Sequence, residues 1–186
     1  MEKKLYTIIV YSENIAGLLN QITAVFTRRQ INIESLNVSA SSIKGVHKYT
    51  ITVWIDEETI KKIVLQIEKK IEVLQAHYFT DEEIFSYEVA LYKLSTPVLE
   101  REPGISKLIR RYNARVVEIN PTYSAVEKDG MTEDITSFYD ELQKFGCVLQ
   151  FVRSGRVALT KSCVERVNEF LADRKARYLQ AKQAKG

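Results

Sequence analysis

Residue types first suggest chemistry at Ser12-Glu13-Asn14-Ile15-Ala16-Gly17-Leu18. A strand-like run precedes this stretch and a helix-like run follows it, so Gly17 stands at the mouth of a helix. A glycine there lets main chain come close to a ligand. The open amides of a helix's first turn, near Gly17 and Leu18, can hold a carboxylate. The Asn14 carboxamide can accept from an ammonium or donate to a carboxylate. Together these groups suit a small zwitterion such as an amino acid. The same residues also suffice for a plain polar turn, and the stretch alone does not choose between the two.

Elsewhere the tools of catalysis are sparse. His47 and His77 both fall in strand-like runs, and neither has metal-ligand spacing. There is no phosphate-cradling glycine loop, no nucleophile elbow, no HExxH and no CxxC. Carboxylates gather at helix starts (Asp56, Glu57, Glu58; Glu133, Asp134), where the helix dipole and solvent account for them. Cys147 and Cys163 read as reduced thiols rather than a disulfide framework. The expectation is a binding or regulatory chain with no catalytic residue and no bound metal.

The elements that must position the turn follow from hydrophobic period. Residues 5–11 alternate as a strand with Tyr6, Ile8 and Val10 on one face. Leu18, Ile22, Val25, Phe26 and Arg29 form a helical stripe. Residues 32–40 are strand-like, with a slip in alternation between Ile33 and Leu36 that implies an irregular start. Residues 46–55 alternate as a third strand. Asp56 caps a second helix with Ile60, Ile63, Val64, Ile67 and Ile71 as its stripe, and residues 73–79 are a fourth strand. The order strand, helix, strand, strand, helix, strand is the ferredoxin-like βαββαβ plan.

The plan then repeats. Residues 84–94 read as a strand, 100–112 as a helix, 114–120 and 123–128 as strands joined at Asn120-Pro121, 132–145 as a helix and 147–153 as a strand. Tyr139 joins Ile135, Phe138 and Leu142 on the buried side of the second helix, and Gly146 closes it. A short segment, 156–159, follows, and Ser162 caps a terminal helix. The fold class is α+β, with two ferredoxin-like βαββαβ units and a C-terminal helix.

The whole-chain numbers agree with this plan. Of 186 residues, 45% are hydrophobic and 27% charged, which excludes disordered and low-complexity classes. The net charge of +3 sits in the tail, because residues 161–186 carry seven basic and three acidic side chains. That reads as a solvated helix end rather than a nucleic-acid arm. No run is long enough to span a membrane and the N-terminus lacks a signal-peptide core, so a cytoplasmic protein without membrane or nucleic-acid partners is expected.

One family resemblance gathers these observations. Asn14-x-x-Gly17-x-Leu19, the helix ending near Arg28-Arg29, and then Asn32-Ile33-Glu34-Ser35-Leu36 resemble the ACT domain of the acetolactate synthase (acetohydroxyacid synthase) regulatory small subunit. In the second unit, the stretch from Arg115 to Tyr123 looks like that family's hairpin. Arg153-Ser154-Gly155-x-Val157-Ala158-Leu159 is similar to its C-terminal signature.

The resemblance implies residues 1–80 as an ACT domain, 81–160 as the C-terminal ferredoxin-like domain and 161–186 as a basic helix. It implies a subunit without synthase activity of its own. Such a subunit would activate a large catalytic partner carrying thiamine diphosphate, Mg2+ and FAD, and would confer feedback inhibition by a branched-chain amino acid, usually valine. It further implies a homodimer through ACT domains. The loop Asn14, Ile15, Ala16, Gly17, Leu18 and Leu19 of one chain would face the partner's Asn32 and Ile33, with Leu19 and Ile33 lining the side-chain pocket. Two positions depart from the family pattern. Ala16 stands where Pro or Ser is common, and Leu18 stands where a small residue is common, so Leu18 is expected to narrow the pocket. An amino-acid-sensing ACT protein acting on another enzyme shares the fold and the turn. A ferredoxin-like RNA-binding module is the further alternative, although no RNP-like aromatic run appears.

Overall fold

The computed structural model describes residues 2–162. Its first unit runs β1 (Lys4–Glu13), α1 (Leu18–Thr27), β2 (Ser35–Ala40), β3 (Val46–Ile55), α2 (Glu57–Glu68) and β4 (Val73–Phe79). The sheet order is β2-β3-β1-β4 with every neighbour antiparallel, which is the ferredoxin-like topology. Tyr6, Ile8 and Val10 point from β1 into a core shared with Leu18, Ile22, Val25 and Phe26 of α1 and with Ile60, Ile63, Val64 and Ile67 of α2. The opposite face of β1 is also buried. Ile9 and Tyr11 pack with Val46, Leu74, Ile84 and Ala158.

α2 starts where its cap requires. Asp56 is extended, and its Oδ1 accepts the Thr59 amide at 3.0 Å. That amide, with the Thr59 hydroxyl, holds the Asp56 carboxyl below the usual carboxylate range. The helix ends at Glu68, so Ile71 falls off the expected stripe and lies exposed in the turn before β4. Arg29 likewise lies beyond the end of α1, exposed, with NH1 donating to Gln66 Oε1 at 2.6 Å.

The second unit is built on β5 (Ile84–Ser95), α3 (Thr96–Arg101), α4 (Pro103–Arg111), β6 (Arg115–Ile119), β7 (Tyr123–Gly130), α5 (Thr132–Gln143) and β8 (Val148–Arg153), followed by β9 (Val157–Thr160). The sheet order is β6-β7-β5-β8, and β9 also pairs with β5. The single helix expected over 100–112 is two helices. Glu102 leaves helical geometry (φ −112°, ψ 89°) because Pro103 lacks a donor and crowds the residue before it. A Cβ on Gly104 would stand 3.0 Å from the Phe145 ring, so the glycine packs closely against that side chain. Tyr92, Ile105, Phe138 and Leu142 form the centre of this core. Tyr139 is only half-buried, beside Phe151. The buried Tyr92 hydroxyl donates to the Ile135 carbonyl at 2.9 Å, and burial pushes its phenol well above the usual tyrosine range.

The chain divides by contact between 85 and 86 and again between 157 and 158, with residues 158–162 returning to the first unit. The first of these divisions falls within β5 and the second within β9. The terminal helix expected from Ser162 and the residue Cys163 lie outside the described residues. Among the described residues no helix is long and apolar enough to cross a membrane.

Candidate functional site

The turn between β1 and α1 is held by main chain on both sides. The Glu13 amide donates to the Glu72 carbonyl at 2.9 Å, and the Asn14 amide donates to the Gly45 carbonyl at 3.1 Å. Gly17 has φ +85°, a left-handed conformation that a Cβ would strain. Its carbonyl accepts the first helical bond, from Gln21 at 3.2 Å, while the Leu18 amide closes back on Ile15 at 3.3 Å. The amides of Leu19 and Asn20 precede that first helical bond. No side chain caps α1, and its first turn has no acidic residue. Asn14, Ile15, Ala16, Gly17 and Leu19 are all exposed around these donors. The turn thus presents amide donors, a carboxamide and two apolar side chains, Ile15 and Leu19, to solvent. That set can hold a carboxylate with a short aliphatic group beside it.

Leu18 corrects one expectation. Its side chain is 0% exposed and belongs to the core. It offers only main chain to the turn and cannot narrow a pocket there. The same helical stripe that made Leu18 a core residue in the sequence decides the point.

Asn32 is exposed, and Ile33 is half-buried against the core, in the loop that enters β2. The irregular start expected there is a delayed one. The Glu34 amide reaches the Thr52 carbonyl at 2.9 Å before regular pairing begins at Ser35. Register then locates this loop. Ser35 pairs with Thr52, which pairs with Thr7, whereas Ala40 pairs with His47, which pairs with Ser12. The loop carrying Asn32 is therefore at the Lys4 end of the sheet and the Gly17 turn is at the other end. From the level of Thr7 to Asn14 the chain covers about 23 Å at ~3.3 Å per residue. Asn14, Ile15, Ala16, Gly17 and Leu19 come together within one protomer, but Asn32 and Ile33 do not join them. β2 is one of the two edge strands of the sheet. Gly45 is the turn partner that sequence reasoning did not reach.

The second unit shows what its motif residues build. Asn120 Oδ1 accepts from the amides of Thr122 (3.2 Å) and Tyr123 (2.9 Å), closing the β6–β7 hairpin. Ser154 and Gly155 (φ 76°) turn the chain between β8 and β9.

Residues 8–75 match a family model described as an AHAS small subunit-like ACT domain, and residues 87–162 match one described as the small subunit of acetolactate synthase. The acetolactate synthase small subunit of Mycobacterium bovis is 30% identical over 161 residues, 87% of this chain and 95% of that one. The Bacillus subtilis subunit is 29% identical over 168 residues, 89% of this chain and 95% of that one. The crystal structure of the Thermotoga maritima small subunit matches with a TM-score of 0.77 at 24% identity, covering 87% of this chain and 99% of that one, a likeness of fold.

Proposed function

This chain belongs to the family of acetolactate synthase small subunits, and from that premise we propose that it activates the catalytic large subunit and makes it sensitive to a branched-chain amino acid, valine first. The observation that supports the reading is that the Gly17 turn and the Asn32 loop lie at opposite ends of one sheet, of which β2 is an edge strand. A two-fold axis beside β2 exchanges the two ends of the sheet. It sets the Gly17 turn of one protomer against the partner's Asn32, so the homodimer through ACT domains carries two equivalent sites.

In that arrangement the effector carboxylate meets the first-turn amides of α1. Carboxamides of Asn14 and of the partner's Asn32 hold its polar end, and Leu19 and Ile15 contact its aliphatic group. Occupancy ties the two ACT domains together and biases their geometry toward a state that holds the large subunit less active. Coupling of about 1–3 kcal/mol between sites is enough for strong feedback. This chain supplies binding and positioning. Thiamine diphosphate, Mg2+ and FAD would be held by the large subunit, where the thiamine diphosphate would supply the carbon–carbon chemistry.

The test is an assay of purified large subunit with and without this chain, titrating valine, leucine and isoleucine separately. The rate rises on adding the chain and falls with at least one effector. No activation together with no sensitivity to any of the three refutes the reading. Asn32→Ala should lose effector sensitivity. Loss of activation with sensitivity retained would instead assign Asn32 to the contact with the large subunit.

A further inference from the structure

A charged cluster lies inside the second unit at one end of its sheet. Glu88 of β5 is 4% exposed and Arg156 is 5% exposed. Glu88 Oε1 accepts from the hydroxyl of Thr132, the first residue of α5, at 2.6 Å and stands 3.8 Å from Arg156 Nε. Arg156 Nε donates to the same hydroxyl at 3.1 Å. Arg153, much more exposed, brings NH1 to 3.6 Å from Glu88 Oε2. Ser154 fixes the intervening turn to β5, because its amide donates to the Val89 carbonyl at 2.9 Å and its Oγ accepts the Val89 amide at 3.1 Å. The Arg153-Ser154-Gly155 motif is therefore the turn that delivers both arginines to Glu88.

Stability is a poor reason for such a cluster. A buried ion pair of this kind is often matched or bettered by apolar residues of equal volume, and Glu88 Oε2 takes no hydrogen bond among the described residues. Its place in the chain is more informative. The chain enters this unit between 85 and 86 and leaves it between 157 and 158. Glu88 lies just inside the first crossing and Arg156 just inside the second. Their contact joins the entering strand to the leaving strand, and Thr132 joins both to the start of α5. A shift of either strand at its crossing must therefore act on Thr132. Arg153 reaches Glu88 Oε2 from the exposed side of the cluster.

We propose that Glu88, Thr132 and Arg156, latched by Arg153, form the clasp through which effector occupancy on the first unit alters the second. This rests on the effector reading above. The test uses the full chain reconstituted with its large subunit, and Glu88→Gln, which keeps shape and removes charge. Valine binding is measured by calorimetry, inhibition by activity, and the response of α5 by hydrogen exchange at 132–135. In Glu88→Gln, valine still binds as in the wild type and the large subunit is still activated. At saturating valine the extent of inhibition falls about fivefold or more, and the valine-induced change in exchange at 132–135 disappears. Unchanged inhibition with an unchanged exchange response overturns the clasp, and so does loss of valine binding itself. If Glu88→Gln fails to fold, Arg153→Gln, at the exposed latch, is read by the same criteria. Wild-type protein that neither binds nor responds to valine, leucine or isoleucine removes the effector reading itself, before any substitution is made.

Discussion

Because the Gly17 turn and Asn32 lie at opposite ends of one sheet, two variants that each abolish binding should restore it when mixed. The first is Leu19→Asp. Leu19 is 41% exposed in the first turn of α1, so the change removes no core contact. The helix field even favours a carboxylate there by about 0.3–1 kcal/mol. The new carboxylate does repel the effector's own. At about 5 Å and an effective dielectric of about 20, the repulsion is about 3 kcal/mol, a loss of more than ~100-fold in affinity. The second is Asn32→Ala, which removes a hydrogen bond to a charged group worth about 1.5–3 kcal/mol. In a two-fold dimer of one variant protomer with the other, one site carries both defects and the other carries neither. Random assortment at equal ratio makes half the dimers mixed, so about one quarter of wild-type sites return. The assay is calorimetry with valine on each variant alone and on the two after joint refolding. Each alone is silent, and the mixture binds with wild-type affinity at about a quarter of the stoichiometry. A silent mixture, with mixed dimers demonstrated by differential tagging, would refute the shared site.

Two further outcomes test the framework around the site. Leu18→Ala should lower stability by about 2–5 kcal/mol in denaturant unfolding and leave the rank order of valine, leucine and isoleucine unchanged, because the side chain is buried in the core. A changed rank order would return Leu18 to the pocket. Asp56→Ala should lower the thermal midpoint at neutral pH, because the carboxylate caps α2 through Thr59. That carboxyl is held low in the folded protein, so its contribution is complete above the unfolded value of about 3.9 and is lost as pH falls through the folded value. The two melting curves should converge in acid, and a gap that persists there would mean the cap acts without its charge.

The first unit was legible because its rules are local. Alternation located β1 and β3, Asp56 announced α2, and the broken alternation after Ile33 announced the late start of β2. Ile71 was misassigned because it keeps helical period with Ile67 although the helix stops at Glu68, and spacing alone does not register a stop without a breaker. The break at Glu102 had its breaker, Pro103, in plain view. There the apolar stripe outweighed a rule that should have prevailed. The position of the turn was readable from Asn14 and Gly17, but its relation to Asn32 depends on register across three strands, which no local pattern contains. Glu88 escaped for a similar reason. A single acid at an inward strand position has no motif, and its meaning appears only when Thr132 and Arg156 arrive from residues far along the chain.

The burial of Ile9 and Tyr11 beneath Ile84 and Ala158 also sets an order of events on the ribosome. The helix-covered side of the first sheet can close once residue 79 has emerged. Its other side waits for a residue synthesised about 70 positions after the chain has left that unit. At translation rates of about 5–20 residues per second, the wait is roughly 4–15 s. For that interval the nascent chain displays an oily strand surface, which is where a holdase would be expected to bind. Stop codons placed before and after 158 should divide products that need such help from products that do not.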